Sequence, residues 1–279
     1  MIGLIAHPSQ APVLRALARL YPDTAVCCLW RGAFPGVGLP VFRTLPDLLA
    51  THAPGALCVL QPYPRLTAQL VNCLDQGIRV LSAGPSEGLP TPRWQWGNQH
   101  LYSPLVLQAL AQRRSAAFGE PVYLRRMVGG GTGLLPAWWA ACQVLAEAWE
   151  LLGPDPTWAQ VAARRAGRSV HVVVSLSFAN GANAHLSVAP CYFSPSADLT
   201  LLGSGGLVFS ETAGNTPVVV RSVGAELHPP PYLFAETAWI SAFLADELPP
   251  LAPALAGLQM KLLPALRRSL HTSGPEQLV

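Results

Sequence analysis

Lysine is almost absent from this sequence: Lys261 is the only one in 279 residues, and every other cationic side chain apart from histidine is arginine. Charge of either sign is scarce, at 12% of the chain, and the balance of 18 basic against 15 acidic residues leaves a net charge of only +3. The arginines sit in scattered pairs, among them Arg113-Arg114, Arg125-Arg126, Arg164-Arg165 and Arg267-Arg268, so no basic stripe marks a nucleic-acid surface. Disorder is excluded from the other side, because 51% of the residues are hydrophobic and can bury a core. A long uninterrupted apolar run is also missing. The longest charge-free stretch of the first half, Met127 to Ala146, is broken by four glycines, a proline and a glutamine, which argues against a membrane span.

The six cysteines, Cys27, Cys28, Cys58, Cys73, Cys142 and Cys191, show no CxxC and no cysteine–histidine ligand spacing. Most lie in apolar runs and read as buried free thiols of a reducing compartment, with no metal site. Met1 leads straight into Ile2-Gly3-Leu4-Ile5, without a basic segment or small-residue cleavage site, so the expected location is the cytoplasm. No GxSxG elbow, Walker A sequence, HExxH motif or cysteine–histidine nucleophile pair occurs.

What is present is a regular alternation. Apolar runs at Ile2 to Ala6, Thr24 to Trp30, Gly55 to Leu60 and Arg79 to Ser82 read as strands. Between them lie helical segments: Ala11 to Leu20, with Val13, Leu14, Leu17 and Leu20 on one face; Leu45 to Ala50, with Thr44 as N-cap; and Leu66 to Gln76, stopped by Gly77. Continuous apolar strands separated by helices predict a parallel sheet covered on both faces. The turn-rich Ala83-Gly84-Pro85-Ser86-Glu87-Gly88-Leu89-Pro90 then marks a boundary or crossover.

Beyond it the pattern changes. Leu105 to Ala117 and Pro136 to Leu152 read as helices, and Pro121 to Met127 as a strand. Val170 to Phe178 alternates with period two, and Ala182 to Val188 repeats the alternation. The phases match across Ala179-Asn180-Gly181 only if that loop has three residues, with Gly181 left-handed. Leu199 to Leu202 and Leu207 to Ser210 form a second hairpin around Gly203 to Gly206, and Val218 to Arg221 adds a strand. Two helical segments, Tyr232 to Leu244 and Leu255 to Leu270, close the chain, with Pro264 expected to kink or split the last. The fold class is therefore α/β: a Rossmann-like parallel sheet over residues 1–97, followed by an α+β domain with a mostly antiparallel sheet over 98–279.

Several short segments, in order, resemble the Gfo/Idh/MocA oxidoreductase family. They are Ile2-Gly3-Leu4-Ile5 as its first strand, Thr44-Leu45-Pro46-Asp47-Leu48-Leu49, and Gly77-Ile78-Arg79-Val80-Leu81-Ser82-Ala83-Gly84-Pro85 against its "GKHVLxEKP". Further along come Phe118-Gly119-Glu120-Pro121-Val122 against "lGev", Phe178-Ala179-Asn180-Gly181-Ala182 against "F-x-N-G-A", and Leu202-Gly203-Ser204-Gly205-Gly206 against "GtxG". The resemblance implies NAD(P) as cofactor, hydride transfer as reaction, and association through the face of the C-terminal sheet that carries His171 and His185.

The departures fall on the positions that carry this chemistry. The family's phosphate turn G-x-G-x-x-G/A is replaced by Ala6-His7-Pro8-Ser9-Gln10-Ala11, where Pro8 brings a ring and no N–H to the place of closest approach. The ribose-binding acid is replaced by Trp30-Arg31, leaving an arginine to meet a 2′-phosphate. The family's "EKP" glutamate and lysine fall on Ala83 and Gly84, and its D-x-x-x-H pair near Trp139 and Gln143. No aspartate or histidine occurs between His100 and Glu147. The remaining candidates for cofactor contact are His7, Ser9, Arg31, Tyr63 and Arg65, at the carboxyl ends of the strands. For catalysis they are His100, Tyr102 and Gln143. Trp138 and Trp139 read as fillers of the vacated cleft, and Gly129-Gly130-Gly131 as a hinge or a close-packing turn.

Three readings remain open. The first is a catalytically degenerate member of the family acting as a binding or partner subunit, either as a homodimer or as a hetero-oligomer with a paralogue. The second is an active NAD(P)-dependent oxidoreductase with altered cofactor binding, in which His7, His100 or Tyr102 handles the proton. The third is a binder of another small ligand in the crevice between domains.

Overall fold

The structure, a computed structural model, describes residues 1–27, 36–63, 66–85, 93–96, 99–154, 156–190, 198–210 and 234–278, and the backbone of 218–221 and 224–227. The chain groups into two compact units. Unit 1 comprises Met1–Gln99 with Phe234–Leu251, and unit 2 comprises His100–Leu233 with Ala252–Val279.

Unit 1 begins with β1 (Ile2–Ile5), α1 (Ala11–Leu20), β2 (Thr24–Cys27), β3 (Val41–Phe42), α2 (Leu45–His52), β4 (Ala56–Val59), α3 (Leu66–Asp75), β5 (Arg79–Ser82) and β6 (Trp94–Trp96). The six strands pair in the order β3-β2-β1-β4-β5-β6, all parallel. Strands β1, β2 and β4 are buried at every residue, as expected of strands covered on both faces. Helix α1 turns Val13, Leu14 and Leu17 inward at the spacing seen in the sequence, but Leu20, expected on the same face, ends the helix 56% exposed. Thr44 caps α2, its hydroxyl accepting from the Asp47 amide at 3.2 Å. The edge strands β3 and β6 are too short for a periodic signal, and the sequence did not announce them.

Unit 2 continues with α4 (Pro104–Arg113), β7 (Pro121–Gly129), α5 (Leu134–Leu152), β8 (Pro156–Ala166), β9 (Ser169–Phe178), β10 (Asn183–Ala189), β11 (Asp198–Gly203), β12 (Gly206–Ser210), β13 (Val218–Arg221) and β14 (Gly224–Leu227). The chain then gives α6 (Ala235–Leu244) to unit 1 and returns for α7 (Pro253–Thr272) and β15 (Glu276–Gln277). In unit 1, α6 packs on α1, with the Tyr21 and Ser241 hydroxyls 2.6 Å apart. The Arg79 guanidinium lies over the Phe243 ring and donates to the Phe243 carbonyl and the Asp246 carboxylate.

The sheet of unit 2 runs β14-β13-β12-β11-β7-β10-β9-β8-β15 and is antiparallel except for the pair β7–β10. Its alternation is strict: Val170, Val172, Val174, Leu176 and Phe178 are buried on the side where α5 packs on β9, with α7 on the neighbouring β8, while Ser169, His171, Val173, Ser175 and Ser177 face the other way, partly exposed. The β9–β10 loop has the three residues that the phase argument requires. Phe178 pairs with Ala182, and Gly181 sits at φ +83° between them. Gly130 is a close-packing position, since a Cβ there would lie 2.7 Å from the Val188 side chain.

Two expectations need correction. Strand β8, residues Pro156–Ala166, was not foreseen, because Ala162, Ala163, Arg164, Arg165 and Ala166 blur the alternation that pairing with β9 imposes. Pro264 does not split α7, which is continuous from Pro253 to Thr272. Trp138 helps to hold it there, donating from Nε1 to the Gln259 carbonyl at 3.1 Å, while Gln259 Nε2 donates back to the Cys142 carbonyl at 2.8 Å. Trp138 is thus a fully buried α5–α7 packing residue of unit 2.

Candidate functional site

Two constellations carry chemistry, one in each unit. The first is the turn after β1, which begins with a residue backbone-bonded to β2: the Ala6 amide donates to the Cys27 carbonyl at 3.2 Å. The chain then makes a single helical turn at Pro8–Gln10 and runs directly into α1. That turn is closed by its own side chains. The Gln10 Oε1 accepts from the His7 amide at 3.0 Å, and His7 Nδ1 accepts from the Ser9 amide at 3.2 Å, in a reciprocal cap. The Gln10 amide bonds to the His7 carbonyl and the Ala11 amide to the Pro8 carbonyl. Pro8 and Pro12 have no N–H. From Ala6 to Pro12, therefore, every backbone amide is either engaged within the protein or absent.

Further bonds fix this arrangement. Gln10 Nε2 reaches the Leu60 carbonyl at the end of β4, at 3.4 Å, and the Ser9 hydroxyl lies 2.8 Å from His7 Nδ1. An imidazole nitrogen that accepts an amide hydrogen must be unprotonated, and partial burial pushes the His7 pKa down, in the same direction.

Farther along the same sheet, Ala83-Gly84 stands where the resemblance places a glutamate and a lysine. Here the Ser82 hydroxyl donates to the Gly84 carbonyl at 2.7 Å and accepts from the Trp94 indole at 2.8 Å. These bonds are uncharged and buried. Tyr63 is exposed, and its carbonyl accepts the first amide of α3. Arg31 and Arg65 lie outside the described residues.

The second constellation is in unit 2. Glu147, on the sheet-facing side of α5, is wholly buried, as is Arg126 on β7 beneath it. Arg126 donates to both carboxylate oxygens, through Nε to Oε2 and through Nη2 to Oε1 at 3.1 Å, and Nη1 reaches the Asp198 carbonyl at 3.5 Å. His100 completes the group with Nδ1 at 2.9 Å from Glu147 Oε1. Burial pushes the Glu147 carboxyl up, but the Arg126 guanidinium and the His100 hydrogen bond outweigh it and hold the pKa down, at about 2.

Of the catalytic candidates, His100 therefore belongs to a built site. Gln143 is buried one helical turn before Glu147, and Tyr102 is part-buried at the end of the short helix Gln99–Tyr102. The sequence reading missed Glu147 and Arg126. The available signal was an arginine at an inward position of an alternating strand, together with the one acid on the apolar side of α5.

No family model and no curated protein matches the sequence. Solved structures do match its fold along nearly the whole chain. A dehydrogenase from Chromobacterium violaceum superposes with a TM-score of 0.70 at 13% identity, covering 98% of this chain and 95% of its own. An oxidoreductase from Agrobacterium radiobacter, solved with NAD+, L-tartaric acid and magnesium, gives 0.67 at 14%, covering 100% and 98%. A UDP-N-acetylglucosamine 3-dehydrogenase from Acidithiobacillus ferrooxidans gives 0.66 at 17%, covering 97% of each chain. At such identities the likeness is one of fold, and the fold is that of Rossmann-type dehydrogenases.

Proposed function

We propose that this chain is a Gfo/Idh/MocA-like protein that has lost the nicotinamide-dependent reaction and acts as a binding or partner subunit. The sealed first turn carries this reading. A dinucleotide pyrophosphate is held by unpaired backbone amides at the start of the first helix, where the dipole also favours negative charge. Between Ala6 and Pro12 no such amide is left, and opening the turn would break the His7–Ser9 and His7–Gln10 bonds. NAD(P) does not fit this turn.

The catalytic positions of the resemblance support the same conclusion. The lysine position is Gly84, and Trp139 and Gln143 stand near the acid–histidine pair. Neither residue transfers a proton near neutral pH.

The surface proposed for a partner is the face of the unit 2 sheet opposite α5 and α7. Register brings Trp158, Ser177, Asn183, Tyr123, Leu202 and Leu207 into one row across it, and Trp158 and Leu202 are each 37% exposed. A mixed aromatic and small-polar row of this kind suits association with a second copy or a paralogue. A cytoplasmic setting suits the buried thiols Cys27, Cys58, Cys73 and Cys142.

Titration of the purified protein with NADH and NADPH, followed by fluorescence or calorimetry, is expected to show no saturable binding. Micromolar affinity for either, about −8 kcal/mol, would overturn the reading. Sedimentation of the same preparation is expected to give a dimer; a monomer at the highest accessible concentration counts against the sheet-face partner.

A further inference from the structure

The Arg126–Glu147 pair has a consequence for His100 that does not depend on whether the nucleotide turn is sealed. A carboxylate with a pKa near 2 stays ionised at neutral pH and can only accept hydrogen bonds. The nitrogen of His100 facing it, Nδ1, must then carry the proton. In the neutral ring the lone pair is therefore forced onto Nε2. This is how a carboxylate fixes the tautomer and the orientation of an imidazole.

Glu147 cannot turn away, because Arg126 grips both of its oxygens and is itself anchored on the Asp198 carbonyl. The carboxylate is wholly buried, while the His100 side chain keeps 25% of its surface exposed. Nδ1 is committed to that carboxylate, which leaves Nε2 as the ring nitrogen for any other partner. No hydrogen bond within the described residues engages Nε2.

We propose that His100 is a preformed proton acceptor of unit 2, presenting the Nε2 lone pair to a small uncharged ligand that offers an O–H or N–H donor. Glu147 and Arg126 are its positioning residues. An anion is disfavoured as the ligand, because each nitrogen of the guanidinium is already engaged and its charge is cancelled by the carboxylate. A structural role alone, with the imidazole serving only to satisfy Glu147, would need Nδ1 and make no use of Nε2.

Three measurements on the full chain test the proposal, and the titration with small probes separates it from a structural role. Nitrogen-15 NMR, with His100 assigned by His100→Gln, reads the tautomer, which is expected to be Nδ1–H with bare Nε2. In Arg126→Met/Glu147→Leu, which replaces the buried pair by apolar side chains and so leaves no buried charge unpaired, the ring is expected to relax to the mixture of free imidazole. Diethyl pyrocarbonate, which acylates a bare and accessible Nε2, is expected to modify His100 at a rate comparable to the exposed His185. Acetamide or ethylene glycol is expected to move the Nε2 resonance saturably, whereas acetate leaves it in place. A protonated Nε2 in the parent protein, an unreactive His100 beside a reactive His185, a response to acetate alone, or no response to any probe would each overturn the proposal.

Discussion

Glu147→Gln keeps the shape of the side chain and removes its charge, leaving the Arg126 guanidinium in the interior of unit 2 without a counter-ion. Two routes give the size of the effect. The carboxyl is held at about 2 against an ordinary 4.5, and at 1.36 kcal/mol per pKa unit that depression corresponds to roughly 3 kcal/mol. Breaking a buried ion pair by removing one partner costs about 3–5 kcal/mol. Urea unfolding followed by tryptophan fluorescence is suited to the measurement, because Trp138, Trp139 and Trp149 all lie on α5, the helix that carries Glu147. The folded-state pKa lies below the unfolded one, so the contribution is complete above 4.5 and is lost as the pH falls toward 2. The parent protein should accordingly lose stability across that window, and the variant should lack this component. Arg126→Met/Glu147→Leu should recover most of the loss. A Glu147→Gln protein within about 1 kcal/mol of the parent at neutral pH, and with the same acid slope, would refute the buried pair as described.

Gly181→Ala forces a Cβ onto a residue at φ +83° and should cost about 1 kcal/mol by the same unfolding assay, with Gly181→Asn milder; no cost would mean that the three-residue loop has another conformation. Burial raises the Cys58 thiol to about 12, offset only partly by Arg79, and the Cys73 thiol to about 11. Iodoacetamide at mildly alkaline pH should therefore label neither thiol until the chain is unfolded, and stoichiometric labelling of the native protein would contradict their burial.

Much of the fold was legible because it rests on local rules. The parallel pairing of unit 1 follows from short apolar strands separated by helices, and α1 occupies the range that the spacing of Val13, Leu14, Leu17 and Leu20 predicts. The odd length of the β9–β10 loop follows from the phase of alternation in the two flanking strands. Strand β8 was hidden because its exposed end, Arg164-Arg165-Ala166, carries no alternation of its own; its pairing with β9 supplies the register. The C-terminal helix α6 reads as helix from its residues, but nothing local says that it packs with α1 in unit 1.

The candidate sites divide in the same way. The loss of the phosphate turn was visible in Ala6-His7-Pro8-Ser9-Gln10-Ala11, since a proline without an N–H is a local fact. That His7 and Gln10 cap the turn was not visible, because a side chain's partner depends on the path of the backbone. His100 was singled out in the sequence as a catalytic candidate together with Tyr102 and Gln143. Glu147 lies 47 positions further along and Arg126 is 21 positions before Glu147, and no periodicity links residues so far apart on a short helix, a strand and a long helix. The layers, the parity of the β9–β10 loop and the missing motifs can be read from the residues alone, since they follow from backbone propensity and spacing. Which charge meets which emerges only on packing, because a buried ion pair needs the sheet and the helix face to face before either partner can be desolvated.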